Sequence, residues 1–410
     1  MRLASLFAGF SSVVAYLFAA AAGVILLSGC GGCESVVHQS ALPVLAAGTF
    51  DAVDVDQSGH RLFFADQSLK GIDVVDVSGR SPKFVKTVTL PDQPHGLAFD
   101  PATRRLYAGL TGGDIAVVDM NAGSTKFLKV VDNFPTGELS ADLLEFSPET
   151  NVIYAGADTT LVSVDAGSGK VVNKFDLKSP IEQIRYDPTD RMLYATTPKL
   201  DSILQLDPAY GTVTRTYTQK KCKPKGLAIN PSRQLAMVAC GSSMAVFNLT
   251  TGRDEVSRTV PGGDLVTYDA AVDRFTVGSA HGPRDSSVGV FTGDARFMGM
   301  VSSSPEAHGA VIDDATGVVY AVSKTGLLSF SPAACEPLPD WLTFLGGLSV
   351  FAAPLAAFGL FLVWYARRRS RIDPKAPKPV TREQLLREDF EAERERMREL
   401  EEAIYGPEDG

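Results

Sequence analysis

The sequence predicts an all-β fold, a seven-bladed β-propeller, followed by one transmembrane α-helix and a cytoplasmic helical tail. Three observations lead to this prediction. A strand-rich unit recurs seven times between residues 41 and 335, apolar segments stand near both ends of the chain, and an arginine cluster follows the second segment. A period of about 40 to 45 residues with strand-like patterning is typical of propeller blades.

Residues 1–30 form the first apolar segment. Between Leu3 and Gly29 there is no charged residue, a length that suffices to span a hydrocarbon core of about 30 Å. The segment closes with LSGC, which resembles the bacterial lipobox and makes Cys30 a candidate for lipidation. Because the segment is longer than the usual core of a signal peptide, two interpretations stay open, a lipoprotein-type signal peptide and an uncleaved N-terminal anchor.

The propeller is assigned to residues 41–335, with four strands in each repeat. A short apolar strand ends in a turn such as Asp100-Pro101, a second strand reads RLYAG or VIYAG, and a third reads DIAVVD or TLVSVD. A fourth, more polar strand is expected at the exposed outer edge. The seven aligned turn residues, 39 to 47 positions apart, are Asp56, Asp100, Ser147, Asp187, Asn230, Asp269 and Asp313.

The last repeat has only three strands before Cys335. Its missing outer strand is expected from the N-terminal side, in the segment ALPVLAAG that starts at Ala41. A blade shared by the start and the end of the chain closes the ring and leaves only short edges exposed.

The blade motifs GLAFDP, RLYAG and VVD resemble those of the bacterial YVTN and YncE-like propellers, with WD40-like four-stranded blades. The resemblance covers Thr49 to about Ser331 and leaves the apolar ends outside. It implies the propeller fold and no particular activity, because these motifs describe strands and turns that every blade needs.

Five cysteines fit an oxidising compartment. The hairpin around Asn230 places Cys222 opposite Cys240, at a separation that suits a disulfide, although two free thiols packed as small hydrophobes would fit as well. Cys33 and Cys335 flank the ring at its seam and are predicted to form a second disulfide. Cys30 is then left over, as lipidation requires.

A ligand site is expected at the mouth of the channel, among the residues that begin the innermost strands. Asp51, His95, Asp264 and His308 come from four neighbouring blades and are candidate ligands of a divalent metal ion, the one cofactor that the sequence suggests. The alternative is a ring of solvated lining residues. His60 and His281 are expected on the surface. The residues aligned at the strand starts are Asp51, His95, Ala141, Glu182, Lys225, Asp264 and His308.

No catalytic residue is predicted, because the sequence holds no GxSxG, P-loop, HExxH or CxxCH motif. A net charge of -9 argues against a nucleic-acid partner. The predicted function is a binding or scaffold module for a partner protein or ligand. The alternative is a propeller enzyme, lactonase-like or dehydrogenase-like, or a metal-binding protein, with its site at the channel mouth.

Residues 341–365 read as the transmembrane helix, with Trp341 at one boundary and Trp364 and Tyr365 at the other. Arg367, Arg368, Arg369 and Arg371 follow directly, and the positive-inside rule places them in the cytoplasm. The propeller is therefore expected on the extracytoplasmic or periplasmic side of the cytoplasmic membrane.

A basic, proline-containing linker, residues 366–380, leads into a predicted amphipathic helix over residues 381–405. Thr381 opens a capping box, TREQ, and Gly406 follows the helix. One side carries a narrow apolar stripe. It is interpreted as a surface for a cytoplasmic protein partner or for self-pairing as a short coiled coil, the alternative being a solvated charged helix. The stripe consists of Leu386, Phe390, Met397, Leu400 and Ile404.

Overall fold

The computed structural model describes residues 38–40, 49–257, 260–280, 286–303, 305–332, 358–365, 367–368 and 381–406. The chain divides into two units, Cys30–Pro337 and a second unit made of Met1–Gly29 together with Leu338–Gly410.

Seven four-stranded antiparallel sheets make up the first unit, which confirms the seven-bladed propeller. The first strand of each blade contacts the first strand of the next, and the seventh contacts the first in turn, so the ring is closed. These first strands surround the central channel. Blade 1 comprises β2 (Phe50–Asp56), β3 (Arg61–Asp66), β4 (Gly71–Asp76) and β5 (Lys83–Thr89).

The next three blades follow in chain order. Blade 2 comprises β6 (Pro94–Asp100), β7 (Arg105–Leu110), β8 (Asp114–Asp119) and β9 (Lys129–Pro135). Blade 3 comprises β10 (Leu144–Ser147), β11 (Val152–Ala157), β12 (Thr160–Asp165) and β13 (Val171–Asp176). Blade 4 comprises β14 (Ile184–Asp187), β15 (Met192–Thr197), a short 3₁₀ helix (Pro198–Leu200), β16 (Ser202–Leu206) and β17 (Val213–Thr218).

The last three blades complete the ring. Blade 5 comprises β18 (Leu227–Asn230), β19 (Leu235–Ala239), β20 (Met244–Asn248) and β21 (Asp254–Ser257). Blade 6 comprises β22 (Gly263–Asp269), β23 (Arg274–Ser279), β24 (Ser287–Thr292) and β25 (Phe297–Ser302). Blade 7 comprises β26 (Ala310–Asp313), β27 (Val318–Ser323), β28 (Gly326–Phe330) and the N-terminal strand β1 (His38–Ser40).

The closing strand comes from the N-terminal side, as expected, but lies upstream of the predicted segment. β1 pairs antiparallel with β28, with His38 opposite Ser329 and Ser40 opposite Leu327. Residues 41–48, where the strand was expected, lie outside the described residues. The seam of the ring therefore depends on a strand of three residues.

The core lies between neighbouring blades. The second and third strands of a blade have both faces covered by adjacent sheets, so they are almost continuously apolar, as in RLYAGL and DIAVVD. Blades 2 and 3 share one such cluster, in which the rings of Tyr107 and Phe146 lie 5.7 Å apart. The fourth strands alternate between exposed and half-buried residues, as their polar sequence predicts.

The turn after each innermost strand has the same backbone shape in all seven blades. The turn residue identified from the sequence is buried in six blades and half-buried in blade 6, at Asp269. In most blades its side chain accepts a hydrogen bond from the turn's own backbone, as Asp100 does from Ala102 N at 2.9 Å. The fourth residue after it has a left-handed backbone, which L-residues adopt rarely. These residues, with φ between 48° and 68°, are His60, Arg104, Asn151, Arg191, Gln234, Asp273 and Gly317.

Several of these left-handed residues connect one blade to the preceding one. Arg104 Nη1 donates to Asp56 Oδ1 at 2.8 Å, and Gln234 Nε2 donates to Asp187 Oδ2 at 2.7 Å. At the seam, His60 Nδ1 lies 3.0 Å from Asp313 Oδ1. His60 was expected as a plain surface residue, whereas its imidazole joins blade 1 to blade 7. His281 lies outside the described residues.

In the second unit, helix α1 spans Arg382–Tyr405, where the sequence predicts a helix over residues 381–405. Four residues of the predicted stripe, Leu386, Phe390, Met397 and Leu400, are exposed. Residues 358–365 are helical too, whereas residues 341–357 of the predicted membrane segment lie outside the described residues. Within the described part of the chain, no helix has the length and apolarity that crossing a bilayer requires.

Candidate functional site

Seven titratable side chains surround one mouth of the channel, each five residues before the turn residue of its blade. We call them the mouth ring. Six of them line a cavity of about 240 Å³ together with Gln67. No strand or turn requires a charged residue at this position, so the ring is chemically distinct from the blade pattern around it. Its members are Asp51, His95, Asp142, Glu182, Lys225, Asp264 and His308.

Blade 3 contributes Asp142 to the ring in place of Ala141. Ala141 was aligned with the other strand starts, but it is fully buried and packs against blades 2 and 3. The constant spacing of five residues before the turn residue identifies Asp142 from the sequence, since Ser147 is the turn residue of that blade. Aligning the strand starts missed it because β10 begins only at Leu144.

Blades 1 to 3 bring together an Asp–His–Asp group. Asp51 Oδ2 lies 3.1 Å from His95 Nδ1, and one ligating atom from each of Asp51, His95 and Asp142 lies within 4.8 Å of the others. Gln67 Nε2 donates to Asp51 Oδ2 at 2.9 Å. On the far side of the imidazole, His95 Nε2 lies 2.9 Å from Thr111 Oγ1.

Blades 5 to 7 form a second Asp–His pair with a different third member. His308 Nδ1 lies 2.5 Å from Asp264 Oδ2, and Lys225 Nζ lies 3.3 Å from Asp264 Oδ1. The four predicted metal ligands are therefore arranged as two separate pairs, Asp51 with His95 and Asp264 with His308. In the described parts of the chain, the group of three that could hold a metal ion contains the first pair and Asp142.

Charge coupling within the mouth ring shifts its pKa values. The hydrogen bond with Asp51 raises the pKa of His95. Burial, followed by the negative charge of Asp51, raises the pKa of Asp142. Burial opposes ionisation of Asp264, but hydrogen bonds and positive charge from His308 and Lys225 outweigh it and lower its pKa. The ring thus has one side on which negative charge is crowded and one on which it is compensated.

Deeper in the channel lies a second cavity of about 360 Å³, which we call the inner chamber. Its charged lining residues include Asp54, Glu145 and Arg185, each two residues before a turn residue and hence about 10 Å from the mouth ring along the strand. Arg185 Nη1 donates to Glu145 Oε2 at 3.2 Å. Asp54 Oδ2 accepts a hydrogen bond from Phe99 N at 2.8 Å.

Burial is the main influence on the two acids of the inner chamber. It raises the pKa of Asp54 to about 6, although backbone donors and the charge of Arg185 oppose the shift. Burial likewise raises the pKa of Glu145, again opposed by Arg185. About a fifth of the Glu145 and Arg185 side-chain surface remains accessible from the channel, at 20% and 21%. Sequence reasoning missed these three residues, because they occupy a position that is uncharged (Ala, Thr or Val) in the other blades.

Replacing Arg185 by leucine is expected to destabilise the propeller by about 1–3 kcal/mol at pH 7.5, because two buried carboxylates then lose their only nearby cation among the described residues. The loss should shrink at pH 4.5, where the carboxyls of Asp54 and Glu145 can take up protons. Urea denaturation at the two pH values measures this. Arg185→Lys, which keeps the charge, serves as the control. An equal loss at both pH values would show that packing, not charge, is what Arg185 contributes.

Cys222 and Cys240 form a disulfide with a Cα–Cα distance of 4.6 Å, which confirms the predicted bridge. Cys222 lies in a lysine-rich loop that leads into the mouth ring, and the bridge anchors this loop to the end of β19. Asp201 fixes the same loop by accepting hydrogen bonds from Lys221 N and Lys223 N. The loop's exposed cations are Lys220, Lys221, Lys223 and Lys225, of which the sequence analysis named only Lys225. Cys30, Cys33 and Cys335 lie outside the described residues.

No model of a known protein family matches the chain, and a comparison with curated proteins likewise finds no match. The fold assignment therefore stands on the seven sheets, and the resemblance to YVTN and YncE-like propellers stands on the blade motifs alone.

Proposed function

We propose that the protein is a binding and scaffold module of the YncE-like type, whose mouth-ring face docks a partner protein outside the cytoplasmic membrane. The observation that carries this proposal is the mouth ring, in which all seven positions are titratable although the fold needs none of them to be. The structural requirements of a blade explain its apolar strands and capped turns. They do not explain a complete ring of titratable residues around an open cavity.

The partner's docking segment has basic character in this proposal. Four carboxylates of the ring face one lysine and two imidazoles, so the mouth attracts a cationic group. The lysine-rich loop beside it, which the disulfide anchors at Cys222, adds exposed lysines and repels such a group. Opposite charges side by side favour one orientation of the partner, since electrostatic complementarity contributes more to specificity than to affinity.

Membrane attachment is proposed through residues 341–365, with residues 1–30 as a cleaved, lipidated signal or a second anchor. The helical residues 358–365 support it, because large apolar side chains are exposed on all sides of that segment. The arginines that follow support a cytoplasmic tail, since positive charge favours the cytoplasmic side. There α1 exposes Leu386, Phe390, Met397 and Leu400, which we propose as the contact with a cytoplasmic protein or a second copy.

Site-specific photocrosslinking in intact membranes tests the docking face. A photoreactive residue at Glu182 or Lys223, on the mouth side, is expected to give one defined crosslinked partner, identified by mass spectrometry. The same residue at Ala102, an exposed position in a turn at the opposite end of the blade, is the matched control and should not give that product. Crosslinks of equal yield from both faces, or none from the mouth, would contradict the proposal.

The second candidate is a propeller enzyme, and the inner chamber favours it. Asp54 and Glu145 are carboxyls with raised pKa values in a partly apolar cavity, directly below the Asp–His–Asp group. In this case lactone hydrolysis or dehydrogenation by the purified protein should be lost in Glu145→Gln and retained in Asp76→Asn, a change on the outside of blade 1. No turnover of either substrate class would remove this candidate.

A further inference from the structure

We propose that Asp51, His95 and Asp142 bind a divalent transition-metal ion, best Zn²⁺, at the mouth of the channel. The three side chains come from blades 1, 2 and 3, and their ligating atoms already lie within 4.8 Å of one another. One imidazole and two carboxylates suit Zn²⁺ better than Ca²⁺ or Mg²⁺, which prefer oxygen ligands alone. This inference goes beyond the proposed function, because docking of a partner requires no metal.

Neighbouring hydrogen bonds orient the imidazole for this role. Thr111 Oγ1 lies 3.4 Å from Gln93 O, to which it donates, so its lone pair can accept the proton on His95 Nε2 at 2.9 Å. That arrangement leaves His95 Nδ1 facing Asp51 and Asp142. A metal-binding histidine commonly has its second nitrogen held in this way, which fixes the tautomer and the ring orientation.

The carboxylate of Asp51 is oriented as well. Gln67 Nε2 donates to Asp51 Oδ2 at 2.9 Å and lies 3.0 Å from His95 Nδ1, so one amide contacts both ligands from the side of blade 1. Two of the three ligands are therefore positioned by neighbouring residues, with Thr111 behind the imidazole and Gln67 beside Asp51 and His95. Such outer contacts raise metal affinity because less freedom is lost on binding.

The second Asp–His pair shows why only one cation site is inferred. There Lys225 Nζ, 3.3 Å from Asp264 Oδ1, supplies a positive charge next to the carboxylate. In the first pair the corresponding third residue is Asp142, an acid that makes no ion pair with any residue in the described parts of the chain. A bound dication would neutralise Asp142 together with Asp51, whose partner His95 carries a positive charge only when it is protonated.

Three protein ligands leave the remaining coordination position open toward the 240 Å³ mouth cavity, which Asp142 lines. This is the pattern of zinc sites that exchange a ligand, as opposed to closed structural sites with four protein ligands. A water molecule or a donor atom of a bound ligand would complete the coordination. The lining of the same cavity by Glu182 and Lys225 provides polar groups around that position.

Zn²⁺ titration of the chelator-treated, detergent-purified full-length protein tests the inference. Isothermal calorimetry is expected to show one Zn²⁺ per chain, and Asp142→Asn or His95→Gln is expected to weaken binding at least tenfold. His308→Gln, which removes the imidazole of the compensated pair, is the matched control and should leave the affinity unchanged. Circular dichroism establishes that each variant is folded.

Co²⁺ provides an independent measurement, since its visible absorption reports the coordination geometry. A spectrum of four-coordinate Co²⁺ that disappears in Asp142→Asn supports the site. Absence of Zn²⁺ binding by the folded wild-type protein, or an equal loss in His308→Gln, would overturn it. The crosslinking experiment above can also be run on metal-free protein. Protein that crosslinks to its partner but binds no Zn²⁺ would overturn the metal site alone, whereas protein that binds Zn²⁺ but gives no crosslink would overturn partner docking alone.

Discussion

Asp73→Asn is expected to stabilise the propeller by about 2–4 kcal/mol at pH 8 and to change its stability little near pH 4. Asp73 in β4 and Asp66 at the end of β3 are both fully buried in blade 1, and neither forms an ion pair with a basic residue in the described parts of the chain. Asp73 Oδ1 accepts a hydrogen bond from Thr87 Oγ1, and Asp66 Oδ1 accepts one from Leu69 N. The Oδ2 atom of each carboxyl is buried and accepts no hydrogen bond from a donor in the described parts of the chain.

Burial, reinforced by the proximity of the Asp66 carboxyl, raises the pKa of Asp73 from 3.8 to about 7, although the hydrogen bond from Thr87 opposes the shift. Between pH 4 and pH 7 the folded protein therefore keeps a proton that the unfolded chain has released. Stability falls as the pH rises through this window and levels off above it. Asparagine at position 73 stays neutral at every pH. Its side-chain oxygen can accept the hydrogen bond from Thr87 and its amide nitrogen can donate one to Asp66, so the variant should not lose stability as the pH rises.

Urea denaturation from pH 4 to pH 9 measures the difference. Asp76→Asn on the same strand is the control, because a hydrogen bond from Ser78 lowers the pKa of Asp76, which is the opposite direction. That variant should be slightly less stable than wild type at neutral pH. If the free energy of unfolding of the wild-type protein does not decline between pH 4 and pH 7, the pKa of Asp73 is not raised and the prediction fails.

Removal of the Cys222–Cys240 disulfide should cost about 3 kcal/mol of stability. The bond joins residues 18 positions apart, and closing a loop of that size in the unfolded chain accounts for this amount. Cys222→Ala/Cys240→Ala is the double variant, measured by urea denaturation without reductant. Both cysteines are buried, so alanine is chosen over serine, whose hydroxyl would lack a hydrogen-bond partner there.

Treatment with reductant distinguishes the disulfide from the packing of the two side chains. Reductant should destabilise the wild-type protein by about 3 kcal/mol more than the double variant, since the predicted Cys33–Cys335 bond is present in both. The lysine loop offers a second measurement, since tryptic cleavage after Lys220 or Lys221 should become faster once the bridge is absent. Equal stability of oxidised and reduced wild-type protein would rule out the expected contribution of the bridge.

The number of blades was predictable because the turn after each innermost strand has recognisable residues. A capping side chain, often followed by proline, recurs in each repeat, and the fourth residue after it has a left-handed backbone in every blade. Each such turn therefore marks one blade. The position of the closing strand was harder to predict. Three polar residues, His38–Ser40, are too short a segment to show a strand pattern, whereas the apolar stretch after Ala41 resembles one, and the position of β1 depends on pairing with β28.

The sequence was sufficient to predict that charged residues surround the channel mouth, but not which of them contact each other. Asp51, His95, Asp264 and His308 do lie at the mouth, but which neighbours pair depends on side-chain reach across blades. Asp142 was missed by one residue, which is enough to turn a side chain from the channel to the core because strand positions alternate. The acids buried in blade 1 have no sequence signal, since aspartate is expected on surfaces.

The seam between β1 and β28 also bears on the order of folding. His38 and Ser329, partners across it, are separated by 291 residues. A ribosome therefore completes six blades before the strand that pairs with β1 has been made. Since hairpins within a blade form over short loops and the seam closes over a very long one, we expect an open arc of blades to assemble first and the circle to be completed as the final step.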